Sequence, residues 1–156
     1  MAAGSNVGLT CIDGREAAQW NGALFKIKTH ILMKQSNRIL VVDDSGTNLF
    51  LLQRLLEDEG YDVIALEDPQ EALDYLNDQS GIDLILLDIM MPGIDGFKFL
   101  EKISASDQLK SIPVIMVTAK NDRASQKKAL EMGAVDYMAK PLDLNKLRNM
   151  VRSHLS

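Results

Sequence analysis

Residues 38–60 read RILVVDDSGTNLFLLQRLLEDEG, and the fold class is read from the order of residue types within them. Ile39-Leu40-Val41-Val42 is a short unbroken apolar run, the pattern of a strand covered on both faces. Asp43 and Asp44 come directly after it. From Asn48 to Glu59 the leucines 49, 52, 55 and 56 recur at helical spacing on one face, and Gly60 supplies a C-terminal stop. A buried strand, a pair of carboxylates and an amphipathic helix thus succeed one another with almost no intervening chain.

The alternation continues downstream. Tyr61 to Leu66 reads as a second strand, and Asp68-Pro69 is an N-cap followed by proline at the first helical position. That second helix is expected to run through about Asn77, with Ala72, Leu73 and Leu76 inward. Ile82 to Leu87 is the third and most apolar strand, which predicts a central place in the sheet. Pro92-Gly93 breaks the chain, and Phe97 to Ser104 resumes as a helix burying Phe97, Leu100 and Ile103. Ile112 to Val117 is the fourth strand. A polar, weakly amphipathic fourth helix runs from about Asp122 to Met132 and ends at Gly133; Val135 to Met138 is a short fifth strand. In the last helix Leu144, Leu147, Val151 and Leu155 share a face, with Asp143 near its start and Arg152 and His154 near its end, as the helix dipole favours. Five strand-helix alternations with short links imply right-handed crossovers, hence a mainly parallel sheet covered on both faces: a doubly wound α/β domain. The sequence ends directly after the fifth helix, so no separate effector domain is expected downstream.

Residues 1–36 differ from the rest. Gly4, Gly8, Gly14 and Gly22 are scattered among polar residues with no sustained period, which predicts a loosely ordered leader or linker ahead of a domain at 37–156. Ala23 to Met33 is compatible with a short helix or strand. Met33-Lys34-Gln35-Ser36 has the look of a natural chain start, so Met33 is expected to be the initiator or residues 1–32 to be unrelated to the domain.

Bulk properties narrow the function classes. A chain of 156 residues supports one well-buried core. Its net charge of −5 is uneven: Arg15, Lys26, Lys28 and Lys34 outnumber Asp13 and Glu16 in the first 36 residues, leaving about −7 for the remainder. An acidic domain of this kind is a poor nucleic-acid binder. The single cysteine, Cys11, excludes an internal disulfide and fits a reducing compartment. No apolar run reaches the roughly 18 residues needed to span a bilayer, and the N-terminus lacks a basic start with a sustained apolar stretch. A cytoplasmic location without membrane attachment is the default expectation.

In an open α/β sheet, ligands bind outside the carboxyl ends of the strands. Strand one delivers Asp43-Asp44 there, strand three Asp88, strand four Thr118-Ala119 and strand five Lys140-Pro141; strand two delivers nothing obvious. Converging carboxylates repel by roughly 4 kcal/mol per pair at 4 Å for an effective dielectric near 20, so a cation is required. Oxygen donors without histidine or cysteine select Mg²⁺ over zinc, with Mn²⁺ as its substitute. Lys140 supplies a point charge for a phosphoryl oxygen and the Thr118 hydroxyl a hydrogen bond to another. The set suits phosphoryl transfer, with Asp88 as the attacking carboxylate, since it stands alone at the end of the central strand while Asp43 and Asp44 have the character of metal ligands.

Together these residues resemble the response-regulator receiver family, of which the bacterial chemotaxis regulator is representative. The resemblance runs from Arg38 to about Ser153 and rests on Ile39-Leu40-Val41-Val42-Asp43-Asp44, on Leu86-Leu87-Asp88-Ile89-Met90-Met91-Pro92-Gly93-Ile94-Asp95-Gly96, on Val117-Thr118-Ala119 and on Gly133 to Pro141. It implies a flavodoxin-like sheet of order 2-1-3-4-5 and phosphorylation of Asp88 from a phosphohistidine. Asp44 and Asp88 would bind Mg²⁺ directly, Asp43 largely through water, and Met90 through its backbone carbonyl. Lys140, Thr118 and the Ala119 backbone N–H would hold phosphoryl oxygens, Tyr137 would move inward when Thr118 shifts, and the Lys140-Pro141 bond would be cis. The implied partners are a sensor histidine kinase or histidine phosphotransfer protein upstream, and an effector protein on the face of the fourth helix, fifth strand and fifth helix. The product is a signalling switch that takes part in its own phosphorylation and dephosphorylation, not a turnover enzyme; it is either stand-alone or a fragment of a hybrid kinase or multidomain regulator.

Taken singly, each feature has a plainer reading: an acidic pair in a solvated loop, a threonine capping a strand, a tyrosine in packing, a lysine at the surface. Agreement at four strand ends favours the joint reading. Two rival chemistries fit less well. An Mg²⁺-dependent phosphohydrolase with an aspartate nucleophile usually has a second aspartate two residues on, where this chain has Met90. A flavodoxin-like carrier would use Ser45-Gly46-Thr47-Asn48 as a phosphate loop, and Asp43 and Asp44 would repel its ligand. A degenerate receiver used only for binding is at odds with the complete acidic set and Lys140.

Overall fold

The computed structural model describes residues 36–155. The readings of residues 1–35, including the short element at Ala23–Met33, the start at Met33 and the single cysteine Cys11, lie outside the described residues. The elements in order are β1 (Arg38–Val42), α1 (Gly46–Asp58), β2 (Asp62–Leu66), α2 (Pro69–Asp78), β3 (Leu84–Leu87), α3 (Gly96–Ala105), β4 (Val114–Thr118), α4 (Arg123–Glu131), β5 (Asp136–Ala139) and α5 (Leu144–Leu155). The five strands form one sheet in the order β2-β1-β3-β4-β5, parallel throughout. β3 is central, as its unbroken apolar run predicts, with all four of its residues buried.

Side chains alternate across the sheet, and two apolar layers result. Leu40, Val42, Ile85, Leu87, Val114 and Met116 face α2, α3 and Ala129 of α4. Ile39, Val41, Leu84, Leu86, Ile115 and Val117 face the leucines of α1 and Leu147 and Val151 of α5. The polar reading of α4 holds: only Ser125 and Ala129 of that helix are buried. On the α1/α5 side, Glu59 at the end of α1 lies 3.1 Å from the Nε of Arg148 and also pairs with Arg152, tying the two helices together.

Several element boundaries differ from the sequence reading by one or two residues, for local reasons. α1 starts at Gly46, not Asn48, because Ser45 is its N-cap and accepts from the Asn48 N–H. Asp95 and Asp122 likewise cap α3 and α4 from outside the helix. β4 starts at Val114, since Pro113 has no N–H to give the ladder. β3 begins at Leu84 because Asp83 turns its carboxylate back to the Arg38 N–H at 2.8 Å. β2 begins at Asp62 and β5 is displaced by one residue, to Asp136–Ala139.

Candidate functional site

Parallel strands in register end together. Val42 lies beside Leu87, Leu87 beside Met116, and Thr118 beside Ala139, so the residues just beyond β1, β3, β4 and β5 meet at one edge. Backbone bonds extend the ladder into these residues: the Asp88 N–H donates to the Val42 carbonyl at 3.0 Å and the Lys140 N–H to the Thr118 carbonyl at 2.8 Å. β2 ends beside them in Glu67, which is exposed.

Asp43 and Asp88 are almost wholly enclosed, at 1% and 5% exposure, whereas Asp44 is open to solvent. One carboxylate oxygen from each of the three lies within 4.8 Å of the others. The Lys140 ammonium bridges the two buried ones, 2.6 Å from Asp43 Oδ2 and 3.3 Å from Asp88 Oδ2. Burial by itself would lower the pKa of this lysine; the hydrogen bond to Asp43 and the charges of Asp43 and Asp88 outweigh it and hold the pKa above the ordinary lysine value.

Neighbouring donors orient each carboxylate. The Met90 N–H donates to Asp88 Oδ1 at 3.1 Å. Met90's own side chain is exposed, while Met91 is buried. Asp43 Oδ1 accepts from the Ser45 N–H at 2.9 Å, and the Asn48 amide reaches both Asp43 oxygens. Thr118, the last residue of β4, is fully buried; its Oγ1 accepts from the Lys120 N–H at 3.3 Å, which leaves the hydroxyl proton free to donate. Ala119 beside it is exposed.

Tyr137, expected to move inward, already lies inside: its ring is 7% exposed and its hydroxyl donates to the Lys120 carbonyl. That bond meets the polar demand of a buried phenol. Burial, followed by the charges of Asp122 and Asp88, raises the Tyr137 pKa. The Lys140–Pro141 bond is cis.

Four contributors escape a reading of strand ends. Ser45 and Asn48 belong to the first turn of α1, and Lys120 to the segment after β4. The fourth is Gly96, whose N–H donates to the Ile89 carbonyl at 2.9 Å. A Cβ on Gly96 would stand 2.3 Å from the Asp88 carbonyl oxygen and 2.6 Å from Ile89 Cα. The start of α3 therefore presses directly on the backbone that carries Asp88. Asn48 alone had a usable signal: a polar amide one helical turn beyond Asp44, where the helix start folds back over the strand end.

Three close carboxylates with no histidine or cysteine among them form an all-oxygen donor set, which fits a hard divalent cation such as Mg²⁺. Among the described residues, no helix is long and apolar enough to cross a membrane.

Comparison with known proteins gives a consistent result. The family model described as "Response regulator receiver domain" matches residues 39–152. The transcriptional regulatory protein CpxR of Escherichia coli is 42% identical over 119 residues, covering 76% of this chain and 49% of CpxR. The response regulator PleD of Caulobacter vibrioides is 42% identical over 118 residues, covering 76% of this chain and 26% of PleD. This chain thus spans about half the length of CpxR and about a quarter of PleD. Among solved structures, the chemotaxis protein CheY4 of Vibrio cholerae superposes with a TM-score of 0.72 at 28% identity, covering 77% of this chain and 99% of CheY4.

Proposed function

The chain belongs to the response regulator receiver domain family, and from that premise we propose that it accepts a phosphoryl group on Asp88 from a phosphohistidine donor, with Mg²⁺, and switches the binding of a partner or relays the phosphoryl group. The observation that carries this reading is the pairing of an enclosed Asp88 with Lys140 at 3.3 Å and with the carboxylates of Asp43 and Asp44.

An Asp88 oxygen attacks phosphorus, the P–N bond of the donor breaks, and the imidazole leaves with its electron pair. Asp43, Asp44, Asp88 and the Met90 backbone carbonyl would hold Mg²⁺, which supplies positive charge to the equatorial oxygens when bound. Lys140 exchanges its carboxylate contacts for a phosphoryl oxygen. The free Thr118 proton and the Ala119 N–H donate to the remaining oxygens. As Thr118 is drawn toward the phosphoryl group, the segment carrying Lys120 moves with it, and so does the carbonyl that holds Tyr137. The face of α4, β5 and α5 then changes population, and this is the surface offered to an effector. Residues 37–156 constitute the receiver unit in this reading, and residues 1–36 a leader or linker.

The near-complete coverage of CheY4 supports a stand-alone switch. A second reading, a receiver unit within a hybrid kinase or multidomain regulator, is supported by the longer chains of CpxR and PleD.

Incubation with acetyl phosphate and Mg²⁺ tests the assignment. Intact-mass analysis is expected to show one added phosphoryl group that hydroxylamine removes, in wild type and not in Asp88→Asn. An Asp88→Asn protein that still forms a hydroxylamine-sensitive adduct places the acceptor elsewhere.

A further inference from the structure

Asn48 makes an unusual contact with Asp43. Its Nδ2 lies 3.4 Å from Oδ1 and 3.3 Å from Oδ2, near-equal distances with acceptable alignment to each oxygen. Such a position is in front of the carboxylate, between its two oxygens, where a chelated cation would otherwise sit. Asn48 is fixed there from both ends. It lies in the first turn of α1, its own N–H is bonded to the Ser45 hydroxyl, and Leu49 beside it is buried in the core.

The other acceptor directions of Asp43 are also assigned. Oδ1 takes the Ser45 N–H, which is part of the turn into α1, and Oδ2 takes Lys140. A carboxylate offers about four lone-pair sites, so Asp43 is close to saturated. Of these donors Lys140 is the mobile one, carried on a flexible stem; the others are a backbone amide and a side chain anchored in a helix turn. Oδ2 on the Lys140 side is therefore the direction that can be exchanged.

We infer that Asn48 is a positioning residue that selects the cation: by occupying the space between the oxygens of Asp43 it bars two-oxygen chelation and leaves one oxygen for a metal ion or its bound water. This rests on the reading of Asp43, Asp44 and Asp88 as a metal site. Mg²⁺ takes single carboxylate oxygens and keeps several waters in a tight octahedron, while Ca²⁺ accepts six to eight ligands and uses carboxylates in two-oxygen fashion. Blocking chelation at Asp43 costs Ca²⁺ a ligand and Mg²⁺ none. Asn48 touches neither phosphorus nor the acceptor and acts only through Asp43.

The test is calorimetric titration of Mg²⁺ and, separately, Ca²⁺ into the full chain, in wild type and in Asn48→Ala, which removes both the donor and the volume in front of Asp43, with circular dichroism to verify folding. Asn48→Ser serves in its place if alanine is not tolerated. The preference for Mg²⁺ over Ca²⁺ is expected to fall about three- to tenfold, the net worth of one ordinary intramolecular hydrogen bond. An unchanged ratio of the two affinities overturns the inference, whatever happens to the absolute values. A wild-type protein that takes up no Mg²⁺ overturns the metal site itself, a separate and recognisable failure.

Discussion

Replacing Gly96 by alanine isolates the contact between α3 and the phosphorylation site. The added methyl carbon would stand 2.3 Å from the Asp88 carbonyl oxygen, 2.6 Å from Ile89 Cα and 3.0 Å from the Asp88 carbonyl carbon. Comfortable carbon contacts lie near 3.5 Å, so the approach to Ile89 is short by about 1 Å. Both sides of the clash are backbone, which no rotamer change relieves, and the Gly96 N–H is bonded to the Ile89 carbonyl, which prevents α3 from simply lifting away. Forced overpacking of this kind costs about 1 to 3 kcal/mol. Alanine's helix propensity, which already contains the loss of glycine's freedom in the unfolded chain, pulls the other way by about 1 kcal/mol. A net loss of about 1 kcal/mol is expected, read as a lower urea midpoint at unchanged slope. The second consequence is larger. The strain is relieved by moving Asp88, and a displacement of about 1 Å at a reacting group can cost about a hundredfold in rate. Single-turnover phosphorylation with acetyl phosphate at saturating Mg²⁺ measures it. A Gly96→Ala protein that is more stable than wild type and phosphorylated at the same rate would show that propensity, not the close approach, governs this position.

Other substitutions probe separate links. Lys140→Ala is expected to leave phosphorylation of Asp88 measurable while abolishing the spectral change that accompanies it in wild type, tracked by NMR shifts of α4 and β5 amides. Tyr137→Phe removes the bond to the Lys120 carbonyl and is expected to flatten the alkaline end of the stability profile. The folded Tyr137 pKa is raised above 10.0, so its contribution is complete below pH 10.0 and is lost as pH rises toward the folded value; urea midpoints between pH 9 and about 11 compare the two proteins. Asp95→Ala deletes the acceptor for the Lys98 N–H at 2.9 Å and is expected to cost about 1 kcal/mol in the same assay. Glu59→Ala removes the carboxylate that pairs with Arg148 at 3.1 Å and with Arg152, for a loss of about 0.5 to 1 kcal/mol that added salt reduces.

The sheet was legible in the sequence because parallel strands covered on both faces announce themselves as unbroken apolar runs, and Leu84–Leu87 marked its own centre. The site was legible where it depends on strand ends: the polar residues that terminate the apolar runs bring Asp43, Asp88, Thr118 and Lys140 together without any knowledge of distance. The hidden part depends on how helices return to the sheet. Gly96 reads as one more glycine after a Pro-Gly break until α3 is seen against the Asp88 backbone. Asn48 offers a polar amide one turn beyond Asp44, but its reach to both Asp43 oxygens shows only once the first turn of α1 is placed over the strand end. Tyr137 has the pattern of a packing residue, and nothing in the sequence says that its hydroxyl finds the Lys120 carbonyl. Boundaries slipped where a capping side chain or a proline, not the apolar period, ended an element.

Lys140 lies 97 residues along the chain from the Asp43 carboxylate it touches. Its contact therefore spans most of the described chain and exists only once β5 has joined the far side of β4. A ribosome that had released everything up to β4 would present the acidic residues with no cation of their own to answer them. The order of the chain thus makes this ion-pair bridge a late arrival, formed after the acidic edge it joins has already been built.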